Sequence, residues 1–364
     1  MNEKNIVKIG AFEYLNIAGA ERIHSQMISW LLSKDSPLDK EQKSACLCNL
    51  LGKPEHKYSY IDSVTEFNSI DIVIRADFDL VVIENKLKSS QHSNQLIRYK
   101  KDLAKLDQRI PILKDSNPPT FYYLTLINER PDSSGWIPIT YSNLLNIVKK
   151  VDEELNDPVI RAYRYSLESM ISVVDEFEQD HRRFKYVFTD GSLKKWEKGD
   201  ALFSDPSQAY ISKCHLETIL QKMFLTRIAQ ELNLNLDEFS IEETHGRALL
   251  QIKFHSCSGS IDGNNFAFGI QFQGRSVKLN LHAVDCKKST IGMIPDHVIE
   301  WFSEKSNEGY TRRNLNNKKA YISLSKKLEK DLWDYSFNEV VSIYQMEYER
   351  AQKVARDLTS RVYN

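Results

Sequence analysis

Apolar and polar positions in the first half of the chain form short apolar runs separated by amphipathic stretches. The runs Ile70–Arg75 and Leu80–Ile83 are typical of strands buried on both faces, and the short spacing between them predicts a hairpin. Helical spacing of apolar side chains predicts helices, and β-branched or aromatic runs predict further strands. Helices are expected over 19–33, 38–51, 95–106 (capped by Ser93 or Asn94), 142–155 and 159–177, and strands over 58–67, 120–127 and the edge segment 136–139.

The pattern of apolar and polar positions breaks near residues 190–206. The chain has 364 residues, which is long enough for two domains. Beyond the break, alternation separated by turn residues predicts an antiparallel meander between helices. Its strands are expected over 248–254, 266–272 and 277–282, and the helices over 208–233 and 332–358. We therefore expect a first domain, a linker and a C-terminal α+β domain of unknown role, over 1–180, 181–204 and 205–364.

Charged residues lie at the ends of the two apolar strands. Asp71 is near the start of the first, and Glu84 and Lys86 close the second. Side chains alternate along a strand, so Glu84 and Lys86 lie on the same face. Burying such charges is costly unless they are paired or bind a metal. If Asp71 lies beside them, two carboxylates and an ammonium converge, and hard oxygen ligands of this kind suit Mg²⁺ or Mn²⁺.

These residues resemble the signature of the PD-(D/E)XK nuclease superfamily, in which an Asp near one strand is followed by Asp/Glu-x-Lys on the next. Asp71 fills the first place and Glu84-Asn85-Lys86 fills the second. Glu21 fits the Glu that many members carry on the preceding helix. Gln95 fits the Gln that some members carry at the start of the following helix. Ile70 stands in the place of the usual Pro.

The resemblance, over roughly residues 15–175, implies an α/β (α+β) restriction-endonuclease-like fold, with a mixed central sheet flanked by helices. It implies Mg²⁺ or Mn²⁺ held by Asp71, Glu84 and the backbone carbonyl of Asn85, with Glu21 assisting. Lys86 then orients water or stabilises charge on the phosphate, and Gln95 positions water or a neighbouring phosphate. The implied activity is phosphodiester hydrolysis, with DNA as the expected substrate. A role in bacterial or phage defence follows from analogy alone.

Composition limits this picture. The net charge is −1, with 49 basic and 50 acidic residues, so the chain lacks the basic balance of many nucleic-acid binders. The five cysteines are scattered and odd in number, which predicts free thiols in the cytoplasm. No apolar run approaches the roughly 18 residues of a membrane span. Local basic runs occur at 98–101, 181–185, 194–195, 312–313 and 318–319. We interpret each of them as a solvent-exposed face in preference to a surface that binds phosphates.

Other interpretations stay open at this point. Glu84 and Lys86 could form an ion pair at a strand end, which contributes little stability. The fold could also serve a nucleic-acid-binding or regulatory protein without catalysis. A third interpretation is an effector nuclease that is switched on when a ligand or partner binds residues 205–364. A homodimer is compatible with each of these interpretations. His92 is the histidine nearest in sequence to the proposed site.

Overall fold

The computed structural model describes residues 7–88, 95–105, 110–127, 129–131, 133–188, 205–235, 237–261, 264–283, 300, 302, 304, 309–312 and 321–362. Its contacts divide the chain into two compact units. One comprises Met1–Glu176 and Gly199–Ile219, and the other Phe177–Lys198 and Leu220–Asn364. Ser93, Asn94 and His92 lie outside the described residues.

The first unit is built on a five-stranded mixed sheet in which the strands follow chain order. The first three strands are antiparallel, and the third, fourth and fifth are parallel. This confirms the predicted mixed sheet, the hairpin and the edge position of the Pro-containing strand, where a missing N–H is tolerated. The strands are β1 (Ile61–Phe67), β2 (Ile70–Ala76), β3 (Asp79–Lys86), β4 (Thr120–Thr125) and β5 (Trp136–Thr140).

The helices agree with the sequence pattern in the first unit, apart from the short first helix, which was not predicted. Asp39 and Thr140 cap two of them by accepting backbone N–H bonds, as short polar side chains do at helix starts. The helices of the described residues are α1 (Ala11–Tyr14), α2 (Glu21–Leu32), α3 (Lys40–Leu50), α4 (Gln95–Leu103), α5 (Tyr141–Leu155), α6 (Pro158–Gln179), α7 (Lys185–Phe188), α8 (Pro206–Cys214), α9 (Glu217–Glu231) and α10 (Phe337–Val362).

Helices cover both faces of the mixed sheet. On one face, Val73 and Val82 pack with Leu96 and Tyr99 of α4 in a buried cluster. On the other face, α2 packs against β1, β2 and β3. Covering on both sides explains why β2 and β3 are almost continuously apolar. The polar residues at their ends therefore stand out.

The second unit contains an antiparallel sheet that includes the predicted meander. Three of its strands, at Phe239–Thr244, Thr311–Arg312 and Tyr321–Lys327, were not predicted. The strands are β6 (Phe239–Thr244), β7 (Arg247–Ile261), β8 (Asn264–Gln273), β9 (Ser276–Ala283), β10 (Thr311–Arg312) and β11 (Tyr321–Lys327), in the order β10-β11-β9-β8-β7-β6.

Residues 208–233 are mostly helical, as expected, but they do not form one continuous helix. The chain forms α8 and α9 instead, because His215 adopts a left-handed conformation with φ of 54° and ends α8. The α8 segment belongs to the first unit, where the Tyr210 hydroxyl donates to buried Glu13 at 3.0 Å. The contact division therefore does not coincide with the predicted boundary at residue 205. An independent C-terminal domain stays a prediction.

Candidate active site

The two predicted carboxylates come together because the β2–β3 ladder ends beside them. The last paired residues are Ile72 and Ile83, and Asp71 and Glu84 follow immediately at this end of the hairpin. Antiparallel neighbours present their side chains on the same face, here the face covered by α4. The hairpin register thus places both acids at one sheet end, as the sequence analysis predicted.

Glu84 lies at the centre of the site. Its side chain is fully buried, and its Oε1 is 2.7 Å from the Nζ of Lys86, which is itself 8% exposed. Gln95, the first residue of α4, donates from Nε2 to the same Oε1 at 2.8 Å and also to the Tyr99 hydroxyl. The other oxygen of Glu84, Oε2, is buried and has no hydrogen-bond donor. One oxygen of this carboxylate is thus fixed while the other keeps its capacity to bind a cation.

Burial dominates the electrostatics of the two acids. It raises the pKa of Glu84 to about 8, helped by the nearby charge of Asp71 and opposed by Lys86. Burial also raises the pKa of Asp71, against the N–H of Asn85 and the charge of Lys86. For Lys86, burial lowers the pKa, but the charge of Glu84 outweighs it and leaves the pKa raised. Burial therefore favours the protonated form of both acids when no cation is bound.

Glu21 lies next to these residues but binds the backbone. Its Oε1 accepts the N–H groups of Leu87 at 2.9 Å and Lys88 at 2.8 Å, just after β3. Among the residues that the structure describes, no three His, Cys, Asp or Glu side chains are grouped as a metal site. Asp71 and Glu84 supply two carboxylates, and Glu21 fastens the strand end beside them. Its assistance in metal binding stays a prediction.

The side chain of Asn85 is a feature that the sequence analysis missed. The Asn85 N–H donates to Asp71 Oδ2 at 2.8 Å. Its side-chain amide points to the opposite face, where Nδ2 donates to the Glu21 carbonyl at 2.9 Å and to Ser25 Oγ at 3.1 Å. Tyr141 donates its hydroxyl to Asn85 Oδ1 at 2.8 Å. A polar residue within a buried apolar strand was the available signal, but its partners lie on distant segments.

Other features of the chain are a cavity, the basic runs and the cysteines. A cavity of about 610 Å³, lined by Leu80, Lys100 and Phe121 among others, is at the opposite end of β3 and β4. In the basic run 98–101, the Arg98 guanidinium lies 5.6 Å from the centroid of the Tyr99 ring. Residues 194–195, 313 and 318–319 cannot be placed, because they lie outside the described residues. The described cysteines, Cys46, Cys48 and Cys214, are buried free thiols.

The donor set fits a hard divalent cation. Two adjacent carboxylates lie at one strand end, and one of their buried oxygens has no donor. Oxygen ligands of this kind are the ones that Mg²⁺ and Mn²⁺ prefer.

No helix within the described residues has the length and apolar character needed to cross a membrane.

Comparison with known families supports the same interpretation. Residues 9–185 match the family model of the PD-(D/E)XK nuclease superfamily, and this range contains all six predicted site residues. Neither the curated proteins nor the solved structures gave a match. The matched range includes the mixed sheet, its flanking helices and the Asp71, Glu84 and Lys86 constellation. The part of the chain that carries this site, residues 9–185, therefore belongs to the PD-(D/E)XK nuclease superfamily.

Proposed function

We propose that this protein is a Mg²⁺- or Mn²⁺-dependent nuclease that hydrolyses phosphodiester bonds in DNA. The observation that supports it most is the buried Glu84 carboxylate, which has Lys86 Nζ 2.7 Å from one oxygen and no donor at the other. A buried ion pair at a strand end contributes little stability by itself. The arrangement is better accounted for as a site prepared for a cation and a phosphate.

Asp71, Glu84 and the backbone carbonyl of Asn85 would hold the metal ion, with Glu21 assisting. When bound, the metal polarises the scissile phosphate and lowers the pKa of a bound water. Lys86 carries donors only, so it can hold the attacking water or a phosphate oxygen as negative charge develops. Gln95 Nε2 donates to Glu84 Oε1, and the buried Oε1 of Gln95 stays able to accept a hydrogen bond from that water.

Substrate preference in this proposal comes from parts of the chain outside the catalytic site. Groups that act on the phosphodiester backbone carry no sequence information. Residues 205–364 are the candidate for choosing the substrate or for switching the nuclease on through a ligand, a partner protein or a second copy. Defence against foreign DNA is the biological role that the superfamily analogy suggests. The scattered cysteines favour the cytoplasm.

A panel of substrates tests the proposal. Plasmid, linear duplex, single-stranded DNA and RNA are incubated with the full-length protein in Mg²⁺ or Mn²⁺, with and without EDTA. We expect cleavage of DNA that needs the metal and stops with EDTA. Cleavage of RNA alone would correct the substrate. Binding to nucleic acid without cleavage in either metal would favour a binding protein on the nuclease fold and overturn the proposal.

A further inference from the structure

The side chain of Asn85 is fully buried behind the site, on the face of β3 opposite to Glu84 and Lys86. Both hydrogens of its amide are used, one by the Glu21 carbonyl and one by Ser25 Oγ. Its Oδ1 accepts from the Tyr141 hydroxyl. An amide in this place costs free energy unless it is hydrogen-bonded. Its three bonds fix the orientation of the side chain and of the strand segment that carries it.

Asn85 and Glu21 form a clamp between β3 and α2. The amide of Asn85 donates to the backbone carbonyl of Glu21 at 2.9 Å. The carboxylate of Glu21 in turn accepts the backbone N–H groups of Leu87 and Lys88. The side chain on each element thus binds the backbone of the other. This pairing sets the distance between the first turn of α2 and the end of β3, where Glu84 and Lys86 lie.

The backbone of Asn85 connects this clamp to the metal-binding acids. Its N–H donates to Asp71 Oδ2 at 2.8 Å, and its carbonyl is a predicted metal ligand. A rotation of this peptide would move the donor away from Asp71 and change the direction of that carbonyl. Tyr141 opposes such a rotation, because it is 1% exposed and its ring lies edge-on to the His24 ring at 5.2 Å.

We propose that the side chain of Asn85, held by Tyr141 and Ser25, is a positioning group that fixes the geometry of the metal-binding acids and of the Asn85 backbone carbonyl. The inference rests on the proposed nuclease function. Its consequence is that polar groups that never touch substrate or metal determine metal affinity. Partners of this kind that orient metal ligands typically change affinity or activity by about 10- to 100-fold when they are removed.

The chain offers a matched pair of tyrosines for the test. Tyr141→Phe removes only the hydroxyl that holds Asn85. Tyr163→Phe removes an equally buried hydroxyl, which bonds His24 Nδ1 at 3.0 Å and does not bond Asn85. Mn²⁺ affinity is measured by calorimetry on the full-length proteins, with kcat and KM for DNA cleavage beside it. We expect Tyr141→Phe to lower affinity and kcat about tenfold without changing KM, and Tyr163→Phe to change neither.

A serine pair decides the question if Tyr141→Phe does not fold. Ser25→Ala removes an acceptor of Asn85 Nδ2, and Ser29→Ala, one turn later on α2, removes a buried hydroxyl bonded to Ser63 at 2.8 Å. We expect weaker Mn²⁺ binding in Ser25→Ala alone. Equal affinities within each folded pair, in a wild-type background that binds Mn²⁺ and cleaves DNA, overturn this inference alone. A wild-type protein that neither binds nor cleaves overturns the proposed function and this inference together.

Discussion

At the residue scale, the sequence indicated that Asp71, Glu84 and Lys86 lie close together, but it did not indicate their other partners. Asp71, Glu84 and Lys86 could be predicted because charges at the ends of apolar strands need a physical reason. The bonds of Glu21 and of the Asn85 side chain could not, because they join positions more than 50 residues apart. Spacing along a chain defines which residues share a strand face. It does not define the partners on other elements.

Substitutions of Asp71 and Gln95, the two polar residues beside Glu84, distinguish a metal ligand from a positioning group. We expect Asp71→Asn to weaken Mn²⁺ binding more than Gln95→Ala, because losing an ionised ligand costs more than losing a neutral donor. Calorimetric titration of both variants measures the difference. Equal affinities for Asp71→Asn and the wild type would remove Asp71 from the metal site.

The raised pKa of Glu84 makes the stability of the metal-free protein depend on pH. This carboxyl keeps its proton in the fold up to a pH of about 8, whereas its ordinary pKa is 4.5. The contribution of Glu84 to the free energy of unfolding is therefore fully present below pH 4.5 and is lost as the pH rises toward 8.

Glu84→Gln removes this titration but keeps the shape of the side chain. We expect the Tm of the wild type, relative to Glu84→Gln in EDTA, to fall as the pH rises from about 5 to about 8. Calorimetric melts at intervals across this range measure it. A difference in Tm that does not vary with pH would show that Glu84 has an ordinary pKa.

At the element scale, most of the structure followed from periodicity. Continuous apolar runs identified β2 and β3, and helical stripes identified α2, α5 and α6. Periodicity failed where a single backbone conformation decides, as at His215, which ends α8. It also failed for β6 and β11, whose pairing with neighbouring strands outweighs a weak local pattern.

Contacts between elements also explain a buried acid in the second unit. Glu347 of α10 is 2% exposed and binds Lys326 Nζ of β11 at 2.7 Å and the Tyr310 hydroxyl at 2.6 Å. We expect Glu347→Ala to lower the free energy of unfolding by about 2 kcal/mol, because Lys326 loses its carboxylate and the buried Tyr310 hydroxyl loses this acceptor. The exposed Glu349 on the same helix is the control, and Glu349→Ala should cost less than about 0.5 kcal/mol. Urea denaturation measures both, and equal losses would contradict this account of the cluster.

At the scale of the whole molecule, the sequence indicated two parts but not how the chain divides between them. Residues 199–219 return to the first unit, where Tyr210 bonds the 1%-exposed carboxylate of Glu13. A pattern break near 190–206 cannot reveal such an exchange of segments, because the break marks only a local change. The role of residues 205–364 in specificity or activation remains a prediction.

The contribution of residues 199–219 to the first unit predicts the stability of truncated chains. A chain of residues 1–180 keeps every proposed catalytic group but loses Tyr210 and the rest of α8, whose Ile211 is also fully buried. We expect it to unfold at least about 4 °C below a chain of residues 1–219, because lost burial and an unsatisfied buried acid both cost stability. Thermal melts of the two chains test this. Equal melting temperatures would mean that α8 does not support the first unit.

The central claim is that the buried carboxylates and Lys86 form a metal-dependent catalytic site, and Lys86→Ala tests it most directly. The control is Lys57→Ala, an exposed lysine that precedes β1 and lies away from Asp71. DNA cleavage in Mn²⁺ and calorimetric Mn²⁺ affinity are measured for both variants and the wild type. We predict that Lys86→Ala folds and binds Mn²⁺ but loses cleavage by at least about 100-fold, while Lys57→Ala matches the wild type. Cleavage by folded Lys86→Ala at the wild-type rate would contradict the account.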